Sequence, residues 1–166
     1  METINFGSFP RSGNHFFVAL ANKLLVNTNI VWHQHKIFYL LKEKNSVTTI
    51  RNPIDAVHSL CFRTGEMGQD FIDNSLNWYK MYYKEIGKHN VFVIPFSKLI
   101  DNPSICFDNI CKKYELNENK MSSIDVSQIL GKENVENTIP KSLIENILKS
   151  KILYDVSSLF NELCNQ

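Results

Sequence analysis

Arginine is scarce in this sequence of 166 residues: only Arg11, Arg51 and Arg63 are arginine, and the other 15 of the 18 basic side chains are lysine. Charge of one sign is also missing. Seventeen acids leave a net charge of +1, which excludes the strong basic excess of a nucleic-acid-binding face, so any anion site must be local. No apolar run approaches the roughly 18 residues of a membrane-spanning helix. Strand-like residues begin at Ile4, so neither a span nor a leader peptide is expected, and a cytoplasmic location is. Cys61, Cys106, Cys111 and Cys164 contain no Cys-x-x-Cys spacing. That pattern fits free thiols in a reducing compartment better than a redox or zinc motif. Repeats, a linker and a second core are absent too, so residues 1–166 read as one domain.

What is present is an alternation of short apolar runs with helical stripes. Ile4 to Phe9, Ile30 to His35, Val47 to Arg51 and Val91 to Phe96 are predicted strands of the kind found in a covered parallel sheet. Asn14 to Val26 follows the first as a helix. Asn52 can cap a second helix with Pro53 at its first position. Ile72, Leu76, Tyr79, Tyr83 and Ile86 form a stripe at steps of four and three, and Trp78 and Tyr82 of the same helix are read as core. Asn102-Pro103 opens another helix with Phe107, Ile110, Cys111 and Tyr114 on one face. Two short helices, Pro140 to Ser150 and Leu153 to Leu163, are predicted last. The polar stretch of about 115–139 is long for a plain connection and reads as a lid or surface excursion. The fold class expected is α/β: a three-layer sandwich around a mostly parallel central sheet, similar to P-loop NTPases.

Two of the three arginines sit in strand-to-helix turns, in Phe6-Gly7-Ser8-Phe9-Pro10-Arg11-Ser12-Gly13-Asn14-His15-Phe16 and in Thr49-Ile50-Arg51-Asn52-Pro53. Such a turn aims free backbone N–H groups and the positive end of a helix dipole at one place, which suits an anion. A guanidinium there meets phosphate bidentately, as lysine does not. The first turn is not a Walker A loop. Five residues separate Gly7 from Gly13, and Asn14-His15 stand where G-x-x-x-x-G-K-[ST] has Lys-Ser/Thr. The third strand ends in Arg51, where an NTPase usually has a magnesium-binding Asp. Ser12 lacks the G-x-S-x-G context of a nucleophile elbow.

Pro10-Arg11-Ser12-Gly13-Asn14-His15-Phe16 resembles the 5′-phosphosulfate loop, P-[KR]-S-G-[TN]-x-[WFL], of the sulfotransferase family. Arg51-Asn52-Pro53, with Asp55 and Ser59, resembles that family's 3′-phosphate motif, R-[ND]-P-x-[DE]-x-x-x-S. Phe96-Ser97-Lys98-Leu99-Ile100-Asp101-Asn102-Pro103 resembles its later Y-E-D-L-x-x-N-P segment, with Phe96, Ser97 and Lys98 departing from the pattern. The closing R-K-G-x-x-G-x-W segment is not recognisable; Gly131-Lys132 is at most a remnant. The resemblance covers roughly residues 4–103.

It implies transfer of a sulfuryl group from 3′-phosphoadenosine 5′-phosphosulfate, with 3′-phosphoadenosine 5′-phosphate as product, to a hydroxyl of a small molecule or glycan without a required metal. Arg11 would bind the leaving 5′-phosphate, with the backbone amides of Ser12, Gly13, Asn14 and His15. Arg51 and Ser59 would hold the 3′-phosphate, and Phe16 would stack on adenine. His35 takes the position of the catalytic base, and His33 that of the preceding basic residue. On a strand, His33 and His35 point to one face and reach one cleft, and a histidine is well placed to take a hydroxyl proton near neutral pH. A zinc site from these two with His15 or His58 has the right ligand types but no supporting spacing; His58 otherwise reads as a solvated helix residue. Two alternatives stand beside this reading: a small P-loop nucleotide kinase or phosphotransferase, and a degenerate module that binds nucleotide without transfer.

Overall fold

A computed structural model describes residues 2–25, 27–116 and 140–165. Most of the 115–139 stretch, Gly131-Lys132 included, lies outside the described residues. Four strands, β1 (Glu2–Phe6), β2 (Thr28–Trp32), β3 (Ser46–Ile50) and β4 (Phe92–Pro95), form one sheet in the order β2-β1-β3-β4, every pairing parallel. The central β3 is buried along its whole length, as a parallel strand covered on both faces requires.

Helices cover both faces. On one, α1 (Asn14–Leu24) packs with α5 (Phe96–Asp101) and α6 (Pro103–Tyr114) over Ile4, Phe6, Val47 and Ile94. On the other, α3 (Pro53–Thr64) and α4 (Gln69–Ile86) pack with the C-terminal helices α7 (Lys141–Lys149) and α8 (Leu153–Cys164) around Ile50. A single turn, α2 (Ile37–Leu40), links β2 to β3. The α/β class and the parallel sheet expected from the sequence are what the chain adopts.

Local sequence accounts for most element ends. Asn52 accepts a hydrogen bond from the Ile54 amide at 2.9 Å, and Pro53 occupies the first position of α3. Gly65, left-handed at φ 78°, closes it. The predicted stripe of α4 is fully buried, Ile72, Leu76, Tyr79 and Tyr83 at 0% exposure and Ile86 at 1%. Tyr82 is core as expected, but Trp78 remains 42% exposed and packs edge-on against Phe9 and His35.

The tyrosines of α4 also carry polar bonds through the core. Tyr79 donates its hydroxyl to the Arg51 carbonyl at 2.6 Å, and Tyr83 donates to the Thr49 carbonyl at 2.7 Å. Burial pushes both phenols well above their ordinary pKa, so they remain protonated donors. We expect Tyr79→Phe, which keeps the packing and removes one donor, to lower stability by about 1–2 kcal/mol. That corresponds to a Tm lower by roughly 2–8 °C; an unchanged melting curve would mean that the bond does not form in solution.

Candidate active site

β1 and β3 are neighbours, yet the chain visits β2, on the far side of β1, between them. The connections leaving β1 and β3 therefore feed helices on opposite faces, α1 and α3. A crevice opens between such connections at the carboxyl ends of the strands, the usual ligand position in an open parallel sheet. Both arginine turns border it, and the cleft there has a volume of about 590 Å³.

The first turn, residues 7–13, is shaped by two left-handed residues, Arg11 at φ 63° and Gly13 at φ 91°. A Cβ on Gly13 would lie 2.3 Å from the Phe96 ring, so conformation and space both demand glycine. The loop is tied down from beneath. Ser12 donates its amide to the Phe9 carbonyl at 3.2 Å, Asn14 Nδ2 donates to the same oxygen at 3.1 Å, and Thr49 Oγ1 donates to the Ser12 carbonyl at 2.6 Å. Ser12 is fully buried and its amide is engaged within the loop. Gly13, Asn14 and His15 line the cleft, and no side chain caps α1. Its first amides are thus open to an anion.

The second turn interlocks with the first. Arg51 Nη1 donates to the Arg11 carbonyl at 3.2 Å, and the Arg51 guanidinium lies 5.5 Å from the centre of the Phe96 ring. Arg11 in turn donates from Nε to Ser59 Oγ on α3 at 2.9 Å. One turn beyond Ser59, Arg63 lines the same cleft. All three arginines of the chain therefore face one space. Burial lowers the Arg51 pKa, Asp55 acts against that, and the positive charge of Arg11 adds to it. The guanidinium stays charged near neutral pH, so an anion between Arg11 and Arg51 would relieve repulsion as well as gain hydrogen bonds.

The histidines are placed differently from the sequence expectation. β2 ends at Trp32, and Gln34 turns left-handed at φ 54°, so His33 and His35 do not share a strand face. The chain leaves the ladder there to begin α2, held by the bonds from the His33 amide to Phe6 O at 2.8 Å and from the Ser8 amide to Gln34 O at 3.2 Å. His35 lines the main cleft, whereas His33 lines a smaller adjoining hollow. His35 Nδ1 lies 2.8 Å from the Ser8 carbonyl. A carbonyl only accepts, so Nδ1 carries the hydrogen, and Nε2 of the neutral ring keeps its lone pair. His33 uses Nε2 instead, 2.9 Å from Asn5 Oδ1.

Other candidates sort by exposure. Phe16, 9% exposed, meets Phe96 edge-on at 5.9 Å and offers the cleft only part of its ring. His15 is exposed and edge-on to Trp32. His58 is half-buried rather than solvated, and burial lowers its pKa, against Asp55 and with Arg51. Among the described residues no group of three His, Cys, Asp or Glu is placed to hold a metal ion. The sequence reading missed Arg63, which the i, i+4 step from Ser59 could have found, and Trp32 and Phe96, which join the cleft only through tertiary contact.

Gly13→Ala should destabilise the protein by about 1–3 kcal/mol through backbone strain, with a comparable further loss from the collision with Phe96. Gly65→Ala, at φ 78° with open space around it, should show only the first part. Equal losses in Tm for the two variants would show that Phe96 does not seat against the loop. Compared with protein-family models and with curated proteins, the sequence matches none, and the reading of this cleft rests on its own residues and geometry.

Proposed function

We propose that this chain is a sulfotransferase that moves a sulfuryl group from 3′-phosphoadenosine 5′-phosphosulfate to a hydroxyl acceptor by in-line displacement. The observation that carries the reading is the Arg11 Nε to Ser59 Oγ hydrogen bond of 2.9 Å. It ties the first turn to α3, the helix that the second turn feeds, and so sets Arg11 and Ser59 side by side for a ligand with phosphate at both ends. The loop between β1 and α1 then serves as a phosphate loop without the lysine and metal-binding acid of an NTPase.

In this reading each group has a defined task. Arg11, anchored through Nε, presents its terminal amino groups to the 5′-phosphate, with the amides of Gly13, Asn14 and His15. Arg51 and Ser59 take the 3′-phosphate. Ser59 accepts from Arg11 and so keeps its own hydroxyl hydrogen to donate. His35 Nε2 removes the acceptor's proton as the acceptor oxygen bonds to sulfur. The bond from sulfur to the 5′-phosphate oxygen breaks, and its electron pair stays on that phosphate, where Arg11 and the amides stabilise the growing charge.

The donor site is tested by thermal stability with 3′-phosphoadenosine 5′-phosphate, Mg·ATP and adenosine 5′-monophosphate, each with and without EDTA. At about a hundredfold excess over Kd a true ligand adds roughly 2.7 kcal/mol, or about 5–10 °C for a domain of this size. We expect that shift with the 3′-phosphorylated nucleotide and no effect of EDTA. A shift with Mg·ATP alone would mark a kinase-type site, and no shift would leave the donor reading without support. His35→Ala should keep nucleotide binding while turnover of 3′-phosphoadenosine 5′-phosphosulfate falls by about 10²–10⁴-fold; unchanged turnover would remove His35 as the base.

A further inference from the structure

β2 is an edge strand, and among the described residues no strand pairs with its outer side. It is also the least buried of the four: none of its residues is fully buried, whereas β3 is buried throughout. We infer that this edge pairs antiparallel with the same edge of a second copy of the chain, joining two sheets into one across a two-fold axis. The inference rests on the sheet and not on the reading of the cleft.

The register fixes which groups face outward. The His33 amide donates to the Phe6 carbonyl at 2.8 Å. In a parallel ladder one residue sends its N–H and C=O to one side and the next residue to the other, so His33, Val31 and Asn29 bond toward β1. Thr28, Ile30 and Trp32, which stand opposite Glu2, Ile4 and Phe6, present theirs to the open edge. An axis through Ile30 sets Ile30 against its own equivalent and Thr28 against Trp32. Each opposed pair exchanges both of its N–H to carbonyl bonds, so every outward group of the strand finds a partner.

Charge selects the second copy. Between Lys23 and Lys36 the sequence has no Asp, Glu, Lys or Arg. Self-pairing places a strand beside its own kind, where like charges repel. An uncharged strand meets that condition, which a guest strand from another protein would not impose. An edge kept free of pairing normally carries lysine, proline or a bulge. β4, at the opposite edge, is protected in this way: it closes on Pro95, which has no N–H, and Lys113 Nζ lies 5.5 Å from the centre of the Phe92 ring. β2 carries neither lysine nor proline, and its register with β1 is unbroken. Pairing would also hold from both sides the strand that leads into the His35 turn and whose Trp32 lines the cleft.

The test is sedimentation velocity of the whole protein across the micromolar range. We expect a species of twice the chain mass that grows with concentration. Thr28→Pro removes an outward N–H at the first residue of the strand, where proline is tolerated, and should raise the dimer Kd about tenfold or more. Asn29 is exposed and stands one diagonal step from its own equivalent across the axis. Asn29→Lys and Asn29→Glu should therefore each weaken the dimer, and an equal mixture of the two should restore it. Should Thr28→Pro melt lower than the wild type, the Asn29 variants, which leave the core untouched, decide the matter. A monomer at every concentration would overturn the inference and leave the edge to a strand of another protein. A dimer indifferent to both positions, a charge mixture that restores nothing, or open-ended assemblies in place of a closed pair would overturn it equally.

Discussion

The site depends on one pairing, that of β1 with β3. Because β2 lies on the outer side of β1, placing β3 against the inner side brings residues 7–13 and Arg51 to one crevice. The consequence is electrostatic. Two guanidiniums are secured there on neutral partners, Arg11 on the Ser59 hydroxyl and Arg51 on the Arg11 carbonyl and the Phe96 face. Lysines, by contrast, form the ion pairs Lys80–Asp155 and Lys88–Glu85 on the surface, where such pairs contribute little. An arginine used for stability is normally matched to a carboxylate. Here the anchoring orients the charges and leaves them to be neutralised from outside, although Asp55 acts in favour of the charge on Arg51.

Holding like charges together requires a stiff support, and the buried polar bonds supply it. Thr49 is 0% exposed and donates to the Ser12 carbonyl, so the sheet grips the first turn directly. Tyr79 and Tyr83 reach from α4 to the carbonyls of Arg51 and Thr49. Each bond contributes on the order of 1 kcal/mol net, but their geometric effect is larger than that figure suggests. They fix the backbone from which Arg51 projects, and Phe96 against Gly13 fixes the loop from above. The order demanded of a preorganised anion site is therefore built into the core.

What the sequence made legible is whatever local chemistry determines. The apolar runs, the Asn52-Pro53 start of α3 and the stripe of α4 follow from periodicity and capping, and all appear where expected to within a few residues. The ends of β1 and β2 each fall three residues short of that reading, at Phe6 rather than Phe9 and at Trp32 rather than His35, and the second has the larger consequence. Nothing in Trp32-His33-Gln34-His35 marks a stop: the His33 amide still makes its ladder bond to Phe6, and the strand ends at the left-handed Gln34, whose carbonyl accepts from the distant Ser8 amide. Extending the strand by three residues put both histidines on one face; the left-handed Gln34 sends them to different hollows. The contact of Phe96 with Gly13 is equally invisible locally, since it joins residues 83 positions apart, 96 less 13. Arg63 was within reach of the helical period, but it carries no motif of its own.

The two helices that face the cleft are not equivalent, and the difference bears on which end of a ligand each would hold. α3 has little left to offer an anion through its backbone: Pro53 has no N–H, and the Ile54 amide is already bonded to Asn52. Asp55 in its first turn further offsets the helix dipole. α1 has no side-chain cap and no acid in its first turn, so its leading amides and its dipole remain available. A phosphate that only has to be recognised can be held by side chains such as Arg51 and Ser59. A phosphate that gains charge as a bond breaks benefits most from fixed dipoles that need no rearrangement during the reaction. In the proposed transfer, that asymmetry would put the leaving group at the α1 end and the spectator phosphate at the α3 end. His35, whose Nδ1 is held on the Ser8 carbonyl, lines the same cleft and is the base in that proposal.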